Sequence, residues 1–278
     1  MTSRKKNVDT ATVSSFGDEW SRFNQTGMSD SEAKKIFEEY FSVFPWDILP
    51  VNAEGFDMGC GTGRWARWVS PRVGRLNCID PSSAINIARR NLADLNNVTF
   101  YCASVDGQTL ASSSQDFGYS LGVLHHVPNT EKAIHACVDL LKPGAPLLLY
   151  LYYAFDNRSL IFRTIWRVSD ASRSLICRMP ARMKNLVSDI IAATIYFPFA
   201  RLSRVLEVVG ADISGIPLSY YRRHSFYTMR TDARDRFGTP LEQRFTKIHI
   251  REMMIRSGLT NILFSDSAPF WCVIGIKQ

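Results

Sequence analysis

The sequence lacks the paired cysteine and histidine spacings on which metal sites and disulfide frameworks depend. Its six cysteines are scattered along 278 residues, without a Cys-x-x-Cys pair and without a histidine cluster beside them. This distribution argues against a structural zinc site and against a disulfide scaffold. We therefore predict that the protein holds no metal ion and that its thiols are reduced, as is usual in the cytosol.

Long hydrophobic runs are also missing. The basic start of the chain is not followed by an apolar stretch, so the sequence predicts no secretory signal. The longest run with little charge, IIAATIYFPFA at 190–200, is too short for a bilayer span and contains Pro198. Because 46% of the residues are hydrophobic and 21% are charged, the composition predicts a soluble globular protein with a cytoplasmic location.

What the sequence does contain is a regular alternation of strand and helix patterns. Several of the strand patterns are continuously apolar, which is typical of parallel strands covered by helices on both faces. The sequence therefore predicts an α/β fold with a doubly wound, seven-stranded, mostly parallel sheet of the Rossmann-like kind. The predicted strands lie in EGFDMGC, RLNCIDP, NVTFYCASV, FGYSLGVLHHVPN, APLLLYLYY, LTNILFSD and FWCVIGIK.

Residues 154–245 interrupt this alternation, and their pattern predicts a mainly helical cap inserted after the fifth strand. The rest of the chain then divides into an N-terminal helical segment at 1–46, a sheet core at 47–153, and a last helix with two closing strands at 246–278. In the N-terminal segment, Phe16, Trp20 and Phe23 are spaced for an amphipathic helix. They can fold over a ligand site or simply pack in the core.

Positive charge is concentrated in the cap. Of the net charge of +7, residues 157–184 contribute +6, because seven Lys and Arg face the single Asp170. A local basic surface favours an anionic partner, although a solvated helix face would carry the same charge. Arg163 and Arg167 fall opposite an apolar helical face, so we expect them to point outward while that face packs on the protein. The apolar face consists of Ile161, Ile165, Val168 and Leu175.

The strongest motif is the glycine loop DMGCGTG at 57–63. A dinucleotide fingerprint would need its third glycine at position 64, which is Arg64, and a phosphate-binding P-loop would need a terminal Gly-Lys-Ser/Thr. The D-x-G-x-G-x-G pattern instead resembles motif I of the class I S-adenosylmethionine-dependent methyltransferases. In that family small residues let the loop lie against the methionine part of the cofactor.

Two further segments carry the same resemblance. Asp80 closes the second strand, where an acid can accept hydrogen bonds from ribose hydroxyls, although it can also cap the following helix. The stretch LGVLHHVPN at 121–129 looks like the segment after strand four in the small-molecule methyltransferases, such as the quinone-methylating group. The resemblance covers about residues 50–153 and, more weakly, 246–278; it does not cover the cap.

The resemblance implies S-adenosylmethionine as the cofactor. Members of the family often carry an aspartate after strand three that contacts the adenine; here Ser104 stands there, so either Ser104 or Asp106 serves, while the Val105 amide meets the ring. Gly59 and Gly61 would line the methionine moiety. The predicted cofactor-binding residues are Asp57, Gly59, Cys60, Gly61, Gly63, Asp80, Pro81, Ser104, Val105, Asp106, Leu121 and Gly122.

Methyl transfer from a sulfonium is an in-line displacement, so positioning and water exclusion supply much of the rate. A hydroxyl or amine nucleophile can also need a base, for which His125, His126 and His224 are the candidates. One of the adjacent pair can instead merely order its loop. For the acceptor we predict contacts from aromatic and basic side chains near strand five and in the cap. These are Tyr152, Arg163, Arg167, Tyr220 and Tyr221.

The sequence thus predicts a methyltransferase acting on a small molecule, with oxygen as the favoured nucleophile and an acceptor that is anionic if the cap arginines meet it. One alternative is a membrane-associated enzyme that methylates a quinone or a lipid, with the basic helix docked on anionic lipid. Another is a non-catalytic partner subunit that binds the cofactor. Nucleic acid is disfavoured, because the Asp/Asn-Pro-Pro-aromatic motif of adenine-N6 enzymes and a Pro-Cys nucleophile are both missing.

Overall fold

We describe the fold from a computed structural model, in which residues 7–25, 27–156, 159–213 and 215–278 are described, with the side chain of Ile161 left out. The chain divides into two compact units. The first, called the sheet unit, contains 7–24, 33–154 and 241–278, and the second, called the helical unit, contains 25–32 and 155–240.

The sheet unit is built on seven strands in the order β3-β2-β1-β4-β5-β7-β6. The first five are parallel, and β7 runs antiparallel between β5 and β6. The predicted seven-stranded, mostly parallel sheet is therefore confirmed. The strands are β1 (Glu54–Met58), β2 (Arg75–Ile79), β3 (Val98–Tyr101), β4 (Phe117–Leu121), β5 (Pro146–Tyr150), β6 (Leu259–Phe264) and β7 (Cys272–Lys277).

Helices flank this sheet, and side-chain caps fix where several of them start. Asp9, Asn129 and Thr246 each accept a hydrogen bond from a backbone N–H in the first turn that follows, which satisfies a group the helix itself cannot pair. The helices of this unit are α1 (Thr10–Arg22), α2 (Asp30–Tyr40), α3 (Ala66–Val69), α4 (Ala84–Asn91), α5 (Thr130–Leu140) and α10 (Lys247–Arg256), with α2 beginning in the helical unit.

The centre of the sheet is buried on both faces, and small residues sit where neighbouring side chains need room. A Cβ on Gly118 would lie 2.2 Å from the ring of Phe56, so only glycine lets β4 run beside β1 there. Ser120, also fully buried, donates its hydroxyl to the carbonyl of Met58 at 2.8 Å. Strands β1 and β4 are thereby held close together at the carboxyl edge of the sheet.

The helical unit consists of four long helices with α9 in the middle. Helices α6 and α7 both pack against α9, and α8 packs against a 3-10 turn at Ser219–Arg223. Its apolar interior is small and contains Ile176, Ala192, Tyr196, Ala200, Met229, Ala233 and Phe237. The helices are α6 (Leu160–Ile176), α7 (Ala181–Ile191), α8 (Phe197–Val208) and α9 (Phe226–Gly238).

One prediction for α6 is wrong. The face expected to pack inward is exposed, with relative accessibilities of 52% for Ile165, 66% for Val168 and 65% for Leu175. Ile176 at the end of the helix is buried, and other inward positions are taken by polar and aromatic side chains. Arg173 donates to Asp170 at 2.7 Å and to the carbonyl of Thr239 at 3.0 Å, and these bonds stabilise the buried face in place of apolar contacts.

The prediction of a short apolar run at 190–200 also needs correction. This run is the middle of a helix of 28 residues, Ala181–Val208, which is long and apolar enough to cross a membrane by length and composition. A π turn at Ala192–Tyr196 joins α7 to α8, and Pro198, which has no backbone N–H to donate, follows this turn inside the continuous helix. Of the most apolar 18-residue window of this helix, 28% is buried.

Candidate functional site

The loop after β1 has the left-handed backbone that its glycines allow. Gly59, Gly61 and Gly63 have φ angles of 82°, 53° and 80°. A Cβ at Gly59 would lie 2.4 Å from Val123, and one at Gly63 would lie 2.6 Å from Leu92. These two glycines are therefore required by the packing of the loop itself, whatever it binds.

Gly61 differs from Gly59 and Gly63, because a side chain added there would meet α1 only at an ordinary contact distance. A Cβ there would be 3.5 Å from the indole nitrogen of Trp20. Helix α1 also places Phe16 edge-on to His126, with ring centroids 5.0 Å apart. The N-terminal helix thus lies over the loops at the carboxyl edge of the sheet, which is where ligands bind in open α/β sheets.

Asp80 ends β2 and is tied to the glycine loop. One carboxylate oxygen accepts the N–H of Gly61 at 2.9 Å, and the other accepts the N–H and hydroxyl of Ser82 at 2.8 and 2.6 Å. Burial raises the pKa of Asp80, and the bonds from Ser82 and Gly61 offset part of that rise. Asp80 therefore orders the entry to α4 as well as the loop, and a carboxylate with three donors retains room for a further hydroxyl.

The loops after β3 and β4 are joined by the N-terminal segment through Asn7. The backbone N–H of Asn7 donates to Asp106 at 2.8 Å, and its side-chain amide exchanges two bonds of 2.8 Å with the backbone of Asn129. Ser104 donates its hydroxyl to the other oxygen of Asp106 at 3.0 Å. The two side chains considered for the adenine contact are thus bound to each other, and Asp106 is engaged by Asn7.

After β4, a 3-10 turn at Leu124–His126 carries the two adjacent histidines. His125 is completely buried, and its ring stacks on Tyr152 with centroids 3.9 Å apart. Neither ring nitrogen has a hydrogen-bond partner among the described residues. Burial above all, with the charges of His126 and Arg244, lowers the pKa of His125 well below its usual value, so the ring is neutral near pH 7.

The neighbouring His126 has a defined tautomer. Its Nδ1 lies 2.6 Å from the carbonyl oxygen of Leu241. Because a carbonyl only accepts hydrogen bonds, Nδ1 carries a proton, and in the neutral ring Nε2 is the nitrogen with the lone pair. In the described part of the chain no partner occupies that buried Nε2. In its neutral form, His126 therefore directs a buried acceptor nitrogen at the carboxyl edge of β4.

Comparison with known proteins agrees with this geometry. Residues 56–149 match the family model for a methyltransferase domain. Residues 56–149 are a class I methyltransferase domain. The cofactor of the domain is S-adenosylmethionine, and the glycine loop with Asp80 after β2 fits that group.

Curated relatives match the same part of the chain. A ubiquinone biosynthesis O-methyltransferase from an Azoarcus species is 32% identical over 91 residues, covering 32% of this chain and 39% of that protein. An enzyme of the same name from Coxiella burnetii is 22% identical over 170 residues, covering 57% of this chain and 67% of that protein. The chain thus spans well under half the length of the Azoarcus relative.

A solved structure extends the likeness to the fold as a whole. A protein from Bacillus halodurans described as a methyltransferase superposes with a TM-score of 0.52 and 13% identity. The superposition covers 83% of this chain and 72% of that one. At this identity the likeness shows a shared fold alone.

Within the methyltransferase domain, Asp57 is completely buried near the end of β1. Burial raises its pKa well above the usual value, and the nearby Tyr119 hydroxyl, which does not reach hydrogen-bonding geometry, lowers it only in part. Its contact with the cofactor stays a prediction. The other predicted cofactor residues lie at the carboxyl edge, including Cys60, Pro81, Val105, Leu121 and Gly122.

Sequence reasoning missed a pair of residues that lie beside the histidines. Arg244 lies over the ring of Tyr152 at 4.9 Å and pairs with Glu242 at 2.8 Å, and both side chains are largely buried. Phe245 pairs with Tyr153 in an isolated bridge, which brings this segment onto the end of β5. The sequence had assigned residues 241–245 to the cap. In the sequence, this segment was marked only by Phe245 and Thr246, which precede α10.

The predicted acceptor residue Tyr152 belongs to an aromatic wall at the carboxyl edge of the sheet. Tyr150 contacts Tyr40 edge-on with ring centroids 5.0 Å apart, and it lies 5.8 Å from Tyr152. A Cβ on Gly122 would lie 3.9 Å from the Tyr150 ring, so this wall borders the backbone predicted to face the cofactor. Tyr152, predicted for the acceptor, is thus part of a continuous aromatic surface with His125.

The remaining predicted residues lie in the helical unit. His224 is buried there, with Nδ1 3.0 Å from the carbonyl of Tyr220 and its ring 4.5 Å from the Tyr220 ring. Tyr221 donates to Asp232 at 2.8 Å. Arg163 and Arg167 are exposed on α6. Among the described residues, no cluster of three His, Cys, Asp or Glu side chains is arranged to hold a metal ion.

Proposed function

We propose that the protein transfers the methyl group of S-adenosylmethionine to an oxygen atom of a small-molecule acceptor, with His126 as the base. The observation that carries this proposal is the His126 tautomer. Its Nδ1–H is held by the Leu241 carbonyl at 2.6 Å, so Nε2 is available as a proton acceptor at the same edge as Gly61 and Asp80.

The cofactor supplies an activated methyl group on a sulfonium centre. The protein positions the reacting groups around this methyl group and excludes water from them. The Gly61 backbone lies beneath Trp20, and Asp80 is held by three hydrogen bonds in an orientation that leaves lone pairs for ribose hydroxyls. Helix α1 covers this region and limits the access of water to it.

The two adjacent histidines have different roles, because only His126 accepts the proton in the proposed reaction. When Nε2 of His126 accepts the hydroxyl proton of the acceptor, the ring becomes positive and keeps its bond to the Leu241 carbonyl. A second positive ring 4.0 Å away would oppose this step. His125 does not become positive near pH 7, because burial lowers its pKa. Its stacking on Tyr152 fixes the turn on which His126 stands.

Oxygen is favoured over nitrogen because a hydroxyl must lose its proton during transfer, and this site provides a base for it. The names of the curated relatives, which are O-methyltransferases, support the same choice. The aromatic wall of Tyr40, Tyr150 and Tyr152 favours a ring-containing acceptor.

The test compares His126→Gln with His135→Gln, a change at an exposed histidine on α5. Turnover is followed with labelled cofactor on catechol, a hydroxybenzoate and a primary amine. We expect His126→Gln to lower kcat on the oxygen acceptors by about 10²- to 10⁴-fold. Binding of S-adenosylhomocysteine and the activity of His135→Gln should match the parent. Methylation of the amine alone, or full activity of His126→Gln, would overturn the assignment.

A further inference from the structure

The long helix of the helical unit, Ala181–Val208, buries small and polar side chains and exposes large apolar ones. The side chains that it buries follow each other at intervals of three or four residues and are mostly small or polar. Lys184 is among them, and it donates to the carbonyl of Gly238 at 3.3 Å. The others are Ser188, Ala192, Tyr196, Ala200 and Ser203. This stripe faces α9 and the 3-10 turn, so the large apolar side chains of the helix have to lie elsewhere.

Those apolar side chains are exposed. Leu186, Leu202 and Val205 have relative accessibilities of 62%, 52% and 61%, and each is offset from the buried stripe. Met183, Ile190 and Val208 are exposed as well. Exposed apolar surface that continues along a whole helix is uncommon in soluble monomers and marks a surface that binds something.

The charges beside this face have one sign. Arg182 and Arg204 are exposed, and neither takes part in any ion pair or hydrogen bond to a carboxylate in the described part of the chain. The acids of the same helix are already engaged. Asp189 binds Arg230 at 2.9 Å, and Glu207 binds Arg222 and Arg223 at 3.0 and 3.1 Å. The outward face therefore combines apolar side chains with uncompensated positive charge.

We propose that this face, Met183 to Val208, docks on the surface of an anionic lipid bilayer, with the helix lying in the plane of the interface. Apolar side chains flanked by arginines match the acyl boundary and the anionic headgroups of such a surface. A second copy of the chain would place like charges against each other in a symmetric contact, which is unfavourable. The helix does not cross the bilayer, because its polar stripe is held on α9 by Lys184 and by the Asp189–Arg230 pair.

This docking is independent of the proposed methyl transfer. All the residues that carry it belong to the helical unit, and none of them is in the predicted cofactor or histidine site. A protein that binds vesicles without methylating oxygen, or the reverse, would separate the two proposals.

The first test measures co-sedimentation of the full chain with vesicles of phosphatidylcholine, alone and with phosphatidylglycerol. We expect binding to the mixed vesicles only, weakening as salt rises. Leu186→Ser/Leu202→Ser/Val205→Ser should reduce the partition coefficient roughly tenfold or more, because it removes three of the six exposed apolar side chains named above. The matched control, Val51→Ser/Ile248→Ser/Leu263→Ser, changes three exposed residues of the sheet unit and should bind as the parent does.

The second test separates local charge from net charge. Arg182→Gln/Arg204→Gln should weaken binding to the mixed vesicles by roughly 25-fold, at about fivefold for each basic residue near the surface. Arg75→Gln/Arg90→Gln has the same net charge, and both arginines are exposed in the sheet unit. It should bind within about twofold of the parent if the location of the charge matters.

Three results would overturn the proposal. The first is a parent protein that does not sediment with the mixed vesicles. The second is an equal loss in the two arginine variants, which would reduce the effect to net charge. The third is a dimer, seen by analytical ultracentrifugation, that dissociates in the serine triple variant, since the face would then bind a second copy. Far-ultraviolet circular dichroism and binding of S-adenosylhomocysteine confirm that each variant is folded.

Discussion

The sheet unit and the helical unit differ in the side chains that they bury and expose. In the sheet unit, Phe56, Leu76 and Leu148 are completely buried in strands that helices cover on both faces. In the helical unit a completely buried side chain is that of Arg234, which donates to Asn185 at 2.9 Å, while Leu202 and Val205 face outward. In the helical unit, hydrogen bonds and ion pairs among the helices therefore add to a small apolar interior.

This contrast has a consequence for how each unit is used. An apolar interior stabilises a folded unit whatever surrounds the protein, so the sheet unit can carry a site that needs fixed geometry. Exposed apolar side chains give such stabilisation only when another surface covers them. The helical unit is therefore adapted to a contact, and the methyltransferase domain is adapted to a reaction.

The largest effect that would break this comparison concerns burial itself. Leu148→Ala in β5 should lower the free energy of unfolding by about 2–5 kcal/mol, because it removes a fully buried side chain and leaves a cavity. Leu202→Ala, the same chemical change on α8, should stay within about 0.5 kcal/mol of the parent. Urea unfolding followed by circular dichroism measures both. Equal losses would show that Leu202 is buried in solution.

A somewhat smaller effect tests whether the cofactor binds to the sheet unit and not to the helical unit. Asp80→Ala should weaken binding of S-adenosylhomocysteine about 10- to 100-fold, since a hydrogen bond to a charged group contributes about 1.5–3 kcal/mol. Asp189→Ala removes a carboxylate from the helical unit, where it pairs with Arg230, and should leave the affinity unchanged. Isothermal titration calorimetry decides. Equal affinity of Asp80→Ala and the parent would remove Asp80 from the site.

The smallest effect is a pH dependence that belongs to the sheet unit. Burial lowers the pKa of His125 in the folded protein, so below about pH 6.5 the unfolded chain binds one proton more than the folded one. Stability should therefore fall as the pH drops below that value, by at most about 1.4 kcal/mol per pH unit from this group.

His125→Phe keeps a ring against Tyr152 and removes this proton, so its stability should vary less between pH 6.5 and 5. Urea unfolding at several pH values measures the difference in slope. His249→Phe, at an exposed position, should keep the slope of the parent. The same slope in His125→Phe and the parent would mean that His125 is protonated in the folded protein.

The positions of the strands and the ligand loops along the chain could be predicted from local sequence. Apolar runs ending in Asp57–Gly63, Asp80 and His125–His126 are short patterns whose meaning depends on neighbours in the chain. The parallel sheet then brings their carboxyl ends to one edge. The family resemblance added the identity of the cofactor, which spacing alone left open.

The contributions of distant residues could not be read in this way. Asn7 lies 122 residues from Asn129, and Leu241 lies 115 residues from His126, yet each makes a bond that orders a loop of the site. Such contacts leave no periodic signal. The tautomer of His126 depends on the Leu241 backbone carbonyl, which any residue at that position would provide.

The orientation of α6 was mispredicted for a related reason. A hydrophobic stripe at helical spacing indicates which side chains lie together but not which side faces the protein. In α6 the interior is filled by Trp166 and by Arg173 with Asp170, whose bonds to each other and to Thr239 were not visible in the pattern. The expectation that the apolar face of a helix points into the protein was therefore wrong for α6, where polar side chains occupy inward positions.

The π turn at Ala192–Tyr196 has an effect on geometry that reaches well beyond its five residues. An α-helix turns by about 100° per residue, so positions four apart drift by about 40° at each step. Over the four steps from Lys184 to Ala200, a regular helix would carry the last position almost to the opposite side. The wider turn takes up one extra residue, so the buried positions of the two halves stay nearer to one side of the helix, toward α9 in α7 and toward the 3-10 turn at Ser219–Arg223 in α8. Deleting one residue there would rotate everything from Phe197 onward, so residue number alone, with no change in composition, decides whether Leu202 meets water or protein.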